Sequence, residues 1–439
     1  MSMKQDAAKA MTGVRIRSVE RDQVVWKAQC VDDLLPAGHP ARTIWQVTEA
    51  LNLSEFYELI KAREGVVGRD CTDPRMMLGL WLYATVRGIG SARELDRLCK
   101  ESRPYQWLCG GVSVNYHLLS DFRVRHGGAL DRLFSQVIAV LVKKGLVKVK
   151  RITQDGMRVR ASAGASSFRR GSTLATLQEE AAEHVKRLRS LLEDREKSAG
   201  LSVREKKAKE RAARERAARI EEARKLIPKL QERQKQSARR LSSKQQAQQQ
   251  KEPRASTTDA EVSRMKMSNG GFNPAVNVQL AADPESRAIV GVDVTNEGVD
   301  YEQSEPMRKQ VEDRSGGKVQ EHLYDGGYVK TESIERAEQQ GVTIYAPPKP
   351  ARNKEKHGDA FTPRAGDSDA IKAWRTRMGG EPGKEVYKQR GATSETINAQ
   401  MRRSGLIQLT VRGLQKAKSV ALWAALAYNV TLFAKALMS

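Results

Sequence analysis

Residues 322–346, HLYDGGYVKTESIERAEQQGVTIYA, decide the fold. An apolar run ends at Asp325-Gly326-Gly327, and Thr331 can cap a helix over Glu332–Gln340. Gly341 ends that helix, and Val342 to Ala346 reads as a second strand. A strand-helix-strand order implies neighbouring parallel strands in a mixed sheet. Asp325 then falls at the carboxyl end of its strand, the edge where such sheets place their ligands.

Working outward, Val276, Val278 and Leu280 alternate with polar residues. A turn at Asp283-Pro284-Glu285-Ser286 leads to Val290, Val292 and Val294, which makes a hairpin. Upstream, Leu146 to Thr153 (LVKVKRIT) alternates valines with lysines as a strand does and runs into Gln154-Asp155-Gly156. The α/β sheet is therefore split by the chain between these pieces. Residues 173–255 hold 23 basic and 13 acidic side chains and no aromatic residue. Leu174, Leu177, Ala181, His184, Leu188 and Leu191 follow a three-four alternation suited to a short coiled coil. The following EKKAKERAARERAARIEEARKLIPKLQERQKQ is helical by propensity with almost no apolar stripe. Pro228 is expected to kink or end it, and SSKQQAQQQKEPRAS to form a flexible return. This is a charged helical insertion: a solvated spacer, or an arm on DNA or on a second protomer.

Before the sheet, from Thr43 to Val149, apolar residues recur at helical spacing. Leu78, Leu82 and Val86 form one row, and Leu130, Leu133, Phe134, Val137, Ile138 and Leu141 another. Pro74 suits a helix start and Gly145 a helix end. GSARELDRLCKESRPYQWLCGGVSVNYHLLSDFR breaks into short helices as helix-turn-helix modules do. The expected division is an N-terminal tail (1–40), an all-helical, DNA-binding-type domain (41–146), the sheet domain (147–170 and 256–439) and the charged insertion (171–255).

The 439-residue chain has 77 Lys and Arg against 53 Asp and Glu, a net charge of +24, which argues for a polyanionic partner, nucleic acid first. Cys30, Cys71, Cys99 and Cys109 lie far apart and form no CxxC pair, which argues against a disulfide framework or a Cys-based zinc site and suits a reducing compartment. MSMKQDAAKAMTGVRIRSVERDQ has no apolar core of signal-peptide length, so an intracellular, cytoplasmic location is expected. Val420 to Met438 is nearly long enough to span a bilayer, but Asn429 and Lys435 interrupt it. It is expected to be a buried helix, with no membrane partner.

Acids at strand ends need explaining in so basic a chain. Asp155-Gly156 and Asp325-Gly326-Gly327 can each serve turn geometry alone. Carboxylates facing nucleic acid, however, call for a cation between them and the phosphates, and paired metal ions drive phosphoryl transfer. A third acid is suggested by Tyr387-Lys388-Gln389-Arg390, Glu395 and Arg402. If Thr393 or Ser394 caps a helix, Glu395 lies in its first turn, where the dipole favours an anion, and Arg402 lies two turns on along the same face. His117, His126 and His322 read as packing residues rather than ligands.

DPRMMLGLWLYATVRGIGSARELDRLC, TQDGMRVRASAG, STTDAEVSRM, HLYDGGYV, YKQRGATSETINAQMRRSGL and the terminal RGLQKAKSVALWAALAYNVTLFAKAL, in this order, resemble DDE transposases of bacterial insertion sequences. The branch is the one with an InsH-like helical N-terminal domain, and the likeness covers residues 40–170 and 255–437. The resemblance implies an RNase H-like catalytic core and two metal ions, Mg²⁺ or Mn²⁺. It implies that Asp155, Asp325 and Glu395 are the catalytic, metal-holding triad. Tyr387, Lys388, Arg390 and Arg402 would contact DNA: the element's terminal inverted repeats and the target duplex, bound by a dimer or larger assembly. The implied reaction is strand cleavage at the element's ends, then attack of the freed 3′-hydroxyl on target DNA. The spacing departs from the family pattern, with Gly391 to Ser394 between Arg390 and Glu395 where three residues are usual. Glu385 and Glu381 are therefore alternatives for the third acid, and Asp259 and Asp300 are nearby acids with a supporting or structural role. The competing functions are a non-catalytic, sequence-specific DNA-binding protein and an RNase H-like nuclease that cleaves without joining.

Overall fold

The computed structural model describes residues 28–62, 70–194, 200–238, 252–350 and 359–439, together with isolated positions 21, 22, 24, 26 and 65. Most of the expected tail and residues 242–251 of the expected return lie outside the described residues.

The first half is helical, as its periodicity predicts: α1 (Pro40–Ala50), α2 (Ser54–Glu58), α3 (Pro74–Val86), α4 (Ala92–Glu101), α5 (Arg103–Cys109), α6 (Tyr116–Arg125) and α7 (Gly127–Lys143). Asp73 caps α3 through Arg75 N–H, with Pro74 in the first turn where its missing donor is not needed. Every residue of α3 from Met76 to Thr85 is buried, so it is the hub of this region rather than a surface helix. Cys99 and Cys109 are free thiols that lie near each other where α4 and α5 pack, a proximity their sequence spacing conceals.

The sheet runs β4 (Ser263–Lys266), β5 (Phe272–Ala282), β1 (Arg151–Arg160), β7 (Glu321–Leu323), β8 (Thr343–Tyr345), with β6 (Ile289–Thr295) also paired to β5. The β5–β6 hairpin is antiparallel with Val278 opposite Val294 and Leu280 opposite Val292. β5 is antiparallel to β1, whereas β1, β7 and β8 are mutually parallel, as the strand-helix-strand reading requires. The crossover is α11 (Thr331–Gln339), followed by Gly341 at φ +76°. Thr331 opens that helix without capping it. The first strand also starts later than LVKVKRIT suggests, because Val149 takes φ 48° and breaks the extended run. β1 instead continues past Asp155 to Arg160, held there by its antiparallel register with β5.

α14 (Leu414–Leu432) and α15 (Ala434–Met438) close the chain. Between Ala417 and Val430, α14 is almost wholly buried, packing on β6 and on α3, α6 and α7, so one core joins the helical region to the sheet. Asn429 is 0% exposed, and its amide bonds both the N–H and the C=O of Ile289 at 3.0 and 2.7 Å. Among the described residues no helix is long and apolar enough to cross a membrane.

The charged insertion leaves the sheet through β2 (Phe168–Arg170), forms α8 (Gly171–Glu193) and α9 (Val203–Ala238), and returns through β3 (Arg254–Ser256), which pairs with β2. It has a small core of its own, Leu174 and Ala181 against Ile220, Ala223 and Ile227, while Leu191 is exposed. Pro228 does not end α9. It sits on the exposed face of the helix, while Ile227 beside it stays buried.

Candidate functional site

β7 pairs with β1 only over Arg151–Thr153, so from Gln154 to Val159 β1 has no parallel neighbour on that side, and only at Arg160 does the segment Ile407–Leu409 bridge to it. Asp155 projects beside this notch, and Asp325 comes two residues after β7 ends at Leu323. The geometry of a short strand beside a long one therefore brings the two aspartates together. Asp155 is thus a mid-strand residue rather than the start of a turn. Asp325 makes an Asx turn, its Oδ1 accepting Gly327 N–H at 2.7 Å.

α13 (Glu381–Arg403) lies across the notch. Arg390 Nη2 reaches Asp155 Oδ1 at 2.9 Å and Asp325 Oδ2 at 3.7 Å, and Asn398 Nδ2 donates to Asp155 Oδ2 at 2.9 Å. Burial pushes the Asp155 carboxyl above the usual carboxylate range; the Arg390 guanidinium opposes this, and the Asp325 charge adds to it. Half-buried Tyr387 faces the same charges, and burial raises its hydroxyl pKa.

Behind the notch is a buried polar floor. Asp300 Oδ1 accepts from Asn277 Nδ2 and Gln279 Nε2, both at 2.7 Å. Gln154 Nε2 donates to Gln279 Oε1 at 2.8 Å, and the Tyr328 hydroxyl donates to the same oxygen. Burial raises the Tyr328 pKa well above its ordinary value, and the charges of Asp300, Asp155 and Asp325 reinforce it. Gly156 is required here: a Cβ would lie 2.5 Å from Asp300 Oδ1, 2.6 Å from Gln279 Nε2 and 2.8 Å from Asn277 Oδ1. Gly327 is similar, with Asp325 Oδ1 2.7 Å and Asp300 Oδ2 3.7 Å from where its Cβ would be, so both acids approach one point. Buried oxygens of Gln154, Asn277 and Asn398 around this site have no hydrogen-bond partner.

Of the residues singled out from the sequence, the structure thus gathers Asp155, Asp325, Arg390 and Tyr387. Glu395 and Arg402 are exposed on α13, and neither forms a hydrogen bond or ion pair with the aspartates. The helix begins at Glu381 behind Gly380, with Pro382 in its first turn, so Thr393 and Ser394 are buried mid-helix residues, not caps. Glu395 therefore has no place in a first turn. Five residues from Arg390 turn a helix by about 140°, whereas eight turn it by about 80°, which is why Asn398 rather than Glu395 faces Asp155. Lys388 is exposed and paired with Glu385, and Lys384 holds Glu381 at 2.8 Å, so both alternative acids face solvent. Asp259 is structural, its carboxylate accepting the Gly413 and Glu261 N–H groups at 2.9 and 3.2 Å.

His322 and His126 are packing residues. His322 is buried edge-on against Tyr324, and burial with nearby Arg308 lowers its pKa to about 3. His126 packs among Phe56 and Phe122. His117 is exposed beside Tyr116 instead of packed. Among the described residues no group of three or more His, Cys, Asp or Glu is placed to hold a metal ion. Two converging carboxylates beside orphaned amide oxygens nevertheless make the all-oxygen donor set that a hard divalent cation takes, with Arg390 balancing the charge in this arrangement.

Asn398, Asn277, Gln279 and Tyr328 are the site residues that motif reading passes over, while Asp300, expected as a nearby supporting or structural acid, is the one on which Asn277 and Gln279 converge. Their signal was the polar pair Asn277 and Gln279 inside the otherwise apolar run of β5.

Residues 29–125, which span α1 to α6, match the family model described as Transposase domain (DUF772). No curated protein and no solved structure matches the chain.

Proposed function

We propose, from the premise that residues 29–125 form a transposase domain, that the chain is a DDE transposase of a bacterial insertion sequence with an RNase H-like catalytic core. The observation that carries this reading is the meeting of Asp155 and Asp325 at the carboxyl edge of a mixed sheet, in a chain of net charge +24. Asp155 and Asp325 would hold Mg²⁺ or Mn²⁺, with Glu395 reaching in from the flank of α13 as the third acid. Divalent ions held there would activate the attacking oxygen and stabilise the leaving one in in-line phosphoryl transfer. Arg390, freed from the carboxylates, turns its guanidinium to a backbone phosphate. Lys388 and Arg402, both exposed on the same helix, follow the phosphates away from the acids, and Tyr387 stacks beside the flanking nucleotide. The Asp300-Asn277-Gln279 floor fixes the strand under Asp155. The partner is double-stranded DNA, the element's inverted repeats and a target, engaged by at least a dimer.

The test is cleavage and joining of a labelled duplex carrying the element's end, with Mg²⁺ or Mn²⁺, comparing wild type with Asp155→Asn, Asp325→Asn and Glu395→Gln. Metal-dependent joining lost in all three, with DNA binding kept, is the expected result. Cleavage without joining would make the protein a nuclease, and binding without cleavage a DNA-binding protein. Activity that survives Glu395→Gln and dies with Asn398→Ala would move the third ligand to Asn398.

A further inference from the structure

The root of the charged insertion holds a second concentration of chemistry, separate from the aspartates. Between α9 and the core lies a cavity of about 280 Å³ lined by Arg169, Arg216, Arg219, Arg412, Thr257 and Thr258. No carboxylate lines it. Among the described residues Arg169, Arg216 and Arg412 make no ion pair, and Glu215 reaches Arg219 only at 3.9 Å. Arg219 Nε is buried without a hydrogen-bond partner. Asp259, the nearest acid in the chain to the two threonines, already accepts two backbone N–H groups.

The arrangement is built rather than incidental. Arg216 and Arg219 lie three residues apart on one face of α9, beside Ile220, which the insertion's core buries. Arg219 is half-buried and Arg216 exposed, and both line the cavity. Thr257 is pinned by its N–H and its hydroxyl to Ser167 O, at 3.0 and 3.3 Å. Arg412 ends the segment that bonds to Arg160 at the end of β1, the strand that carries Asp155. Like charges converge here without a protein counterion, and forked guanidinium groups with hydroxyls match the oxygens of a phosphate.

We propose that this cavity is a phosphate-binding site and that it takes a backbone phosphate of duplex DNA, which makes the insertion a clamp on DNA. The phosphate assignment stands on the arginines; that the phosphate belongs to DNA rests on the transposase reading.

The experiment measures binding of a fluorescent duplex of about 25 base pairs across a salt series. Wild type is compared with Arg216→Gln/Arg412→Gln and with Lys207→Gln/Arg211→Gln, which removes the same charge from exposed positions of α9 outside the cavity. Each phosphate contact contributes about 0.9 to the slope of log affinity against log salt. The cavity variant is expected to lose about one unit of slope and about tenfold in low-salt affinity, and the control to change by less than about twofold. In parallel, inorganic phosphate should raise the wild-type unfolding midpoint and leave that of the cavity variant unmoved. Equal slopes for the three proteins would overturn the DNA assignment, and phosphate protection kept in the cavity variant would overturn the site itself. A wild type that binds no duplex at all, with phosphate protection still lost in the variant, would fail the transposase reading while upholding the anion site.

Discussion

Gly156→Ala should damage this protein far more than its chemistry suggests. The added methyl meets three buried side-chain atoms at 2.5, 2.6 and 2.8 Å, those of Asp300, Gln279 and Asn277. Each must retreat by about an ångström to reach ordinary contact near 3.5 Å. They cannot retreat independently, since Asn277 and Gln279 both donate to the same Asp300 oxygen at 2.7 Å. Overpacking costs about 1–3 kcal/mol, and loss of one hydrogen bond to a charged acceptor about 1.5–3 kcal/mol. Replacing glycine in a strand returns about 0.5–1 kcal/mol, which leaves a loss of about 1.5–5.5 kcal/mol. If the strand bulges instead, Asp155 shifts with it, and an ångström of misplacement lowers DNA cleavage about 100-fold. Urea unfolding and the end-cleavage assay read the two effects. Gly391→Ala is the control: it lies within α13 with nothing within 4 Å of its added Cβ, and should gain about 0.5–1 kcal/mol. Loss of less than 0.5 kcal/mol (about the error of such curves) by Gly156→Ala, with cleavage intact, would refute the packed floor.

Three further outcomes are expected. Asn429→Leu strands the Ile289 N–H and C=O inside the core and should destabilise by about 2–5 kcal/mol in denaturant, although it makes α14 more apolar. His322 is held neutral down to about pH 3, against an ordinary 6.5, so on acidification the unfolded chain takes up a proton that the folded one refuses. Stability should therefore fall by about 1.4 kcal/mol per pH unit below pH 6.5, and unfolding curves of His322→Phe should lack that slope. For Asp155 the sign is opposite: its raised folded pKa means the ionised form weighs against folding once pH passes the ordinary carboxylate range. Asp155→Asn should then unfold at higher denaturant than wild type at neutral pH while losing cleavage; a less stable variant would show that its attraction to Arg390 outweighs its burial.

The parts of the fold legible in the sequence are those where one period governs. The alternation of Val276, Val278 and Leu280 against Val290, Val292 and Val294 gives the hairpin, and the helix between Thr331 and Gly341 forces β7 and β8 parallel. What failed depends on partners distant in the chain. β1 extends past Asp155 only because β5 pairs with it to Arg160, so a turn inferred from Asp155-Gly156 gave way to a tertiary register. Pro228 was tolerated because the face it occupies is wet, and Asn429 was acceptable in an apolar run because Ile289 needed both of its amide functions.

The candidate site divides along the same line. Asp155 and Asp325 could be found from sequence because neighbouring parallel strands bring them together whatever the spacing between them, although only Asp325 follows a strand end and Asp155 lies within β1. A helical residue's contribution depends on phase, and each position turns it by about 100°. Arg390 and Asn398 occupy the phase that faces Asp155, and Glu395 sits on the flank next to it. The four residues between Arg390 and Glu395, one more than the related pattern, are the local reason: one inserted residue rotates everything beyond it off the acid face. Deleting Ala392 from α13 tests this directly. The deletion turns both residues by about 100°, bringing Glu395 from about 140° to about 40° of Arg390 and moving Asn398 from about 80° on one side of Arg390 to about 20° on the other. If Glu395 is a metal ligand only by reaching from the flank, the deletion variant should bind Mn²⁺ more tightly than wild type in a calorimetric titration. Weaker binding would show that the wild-type phase, with Asn398 on Asp155, is the one the site requires.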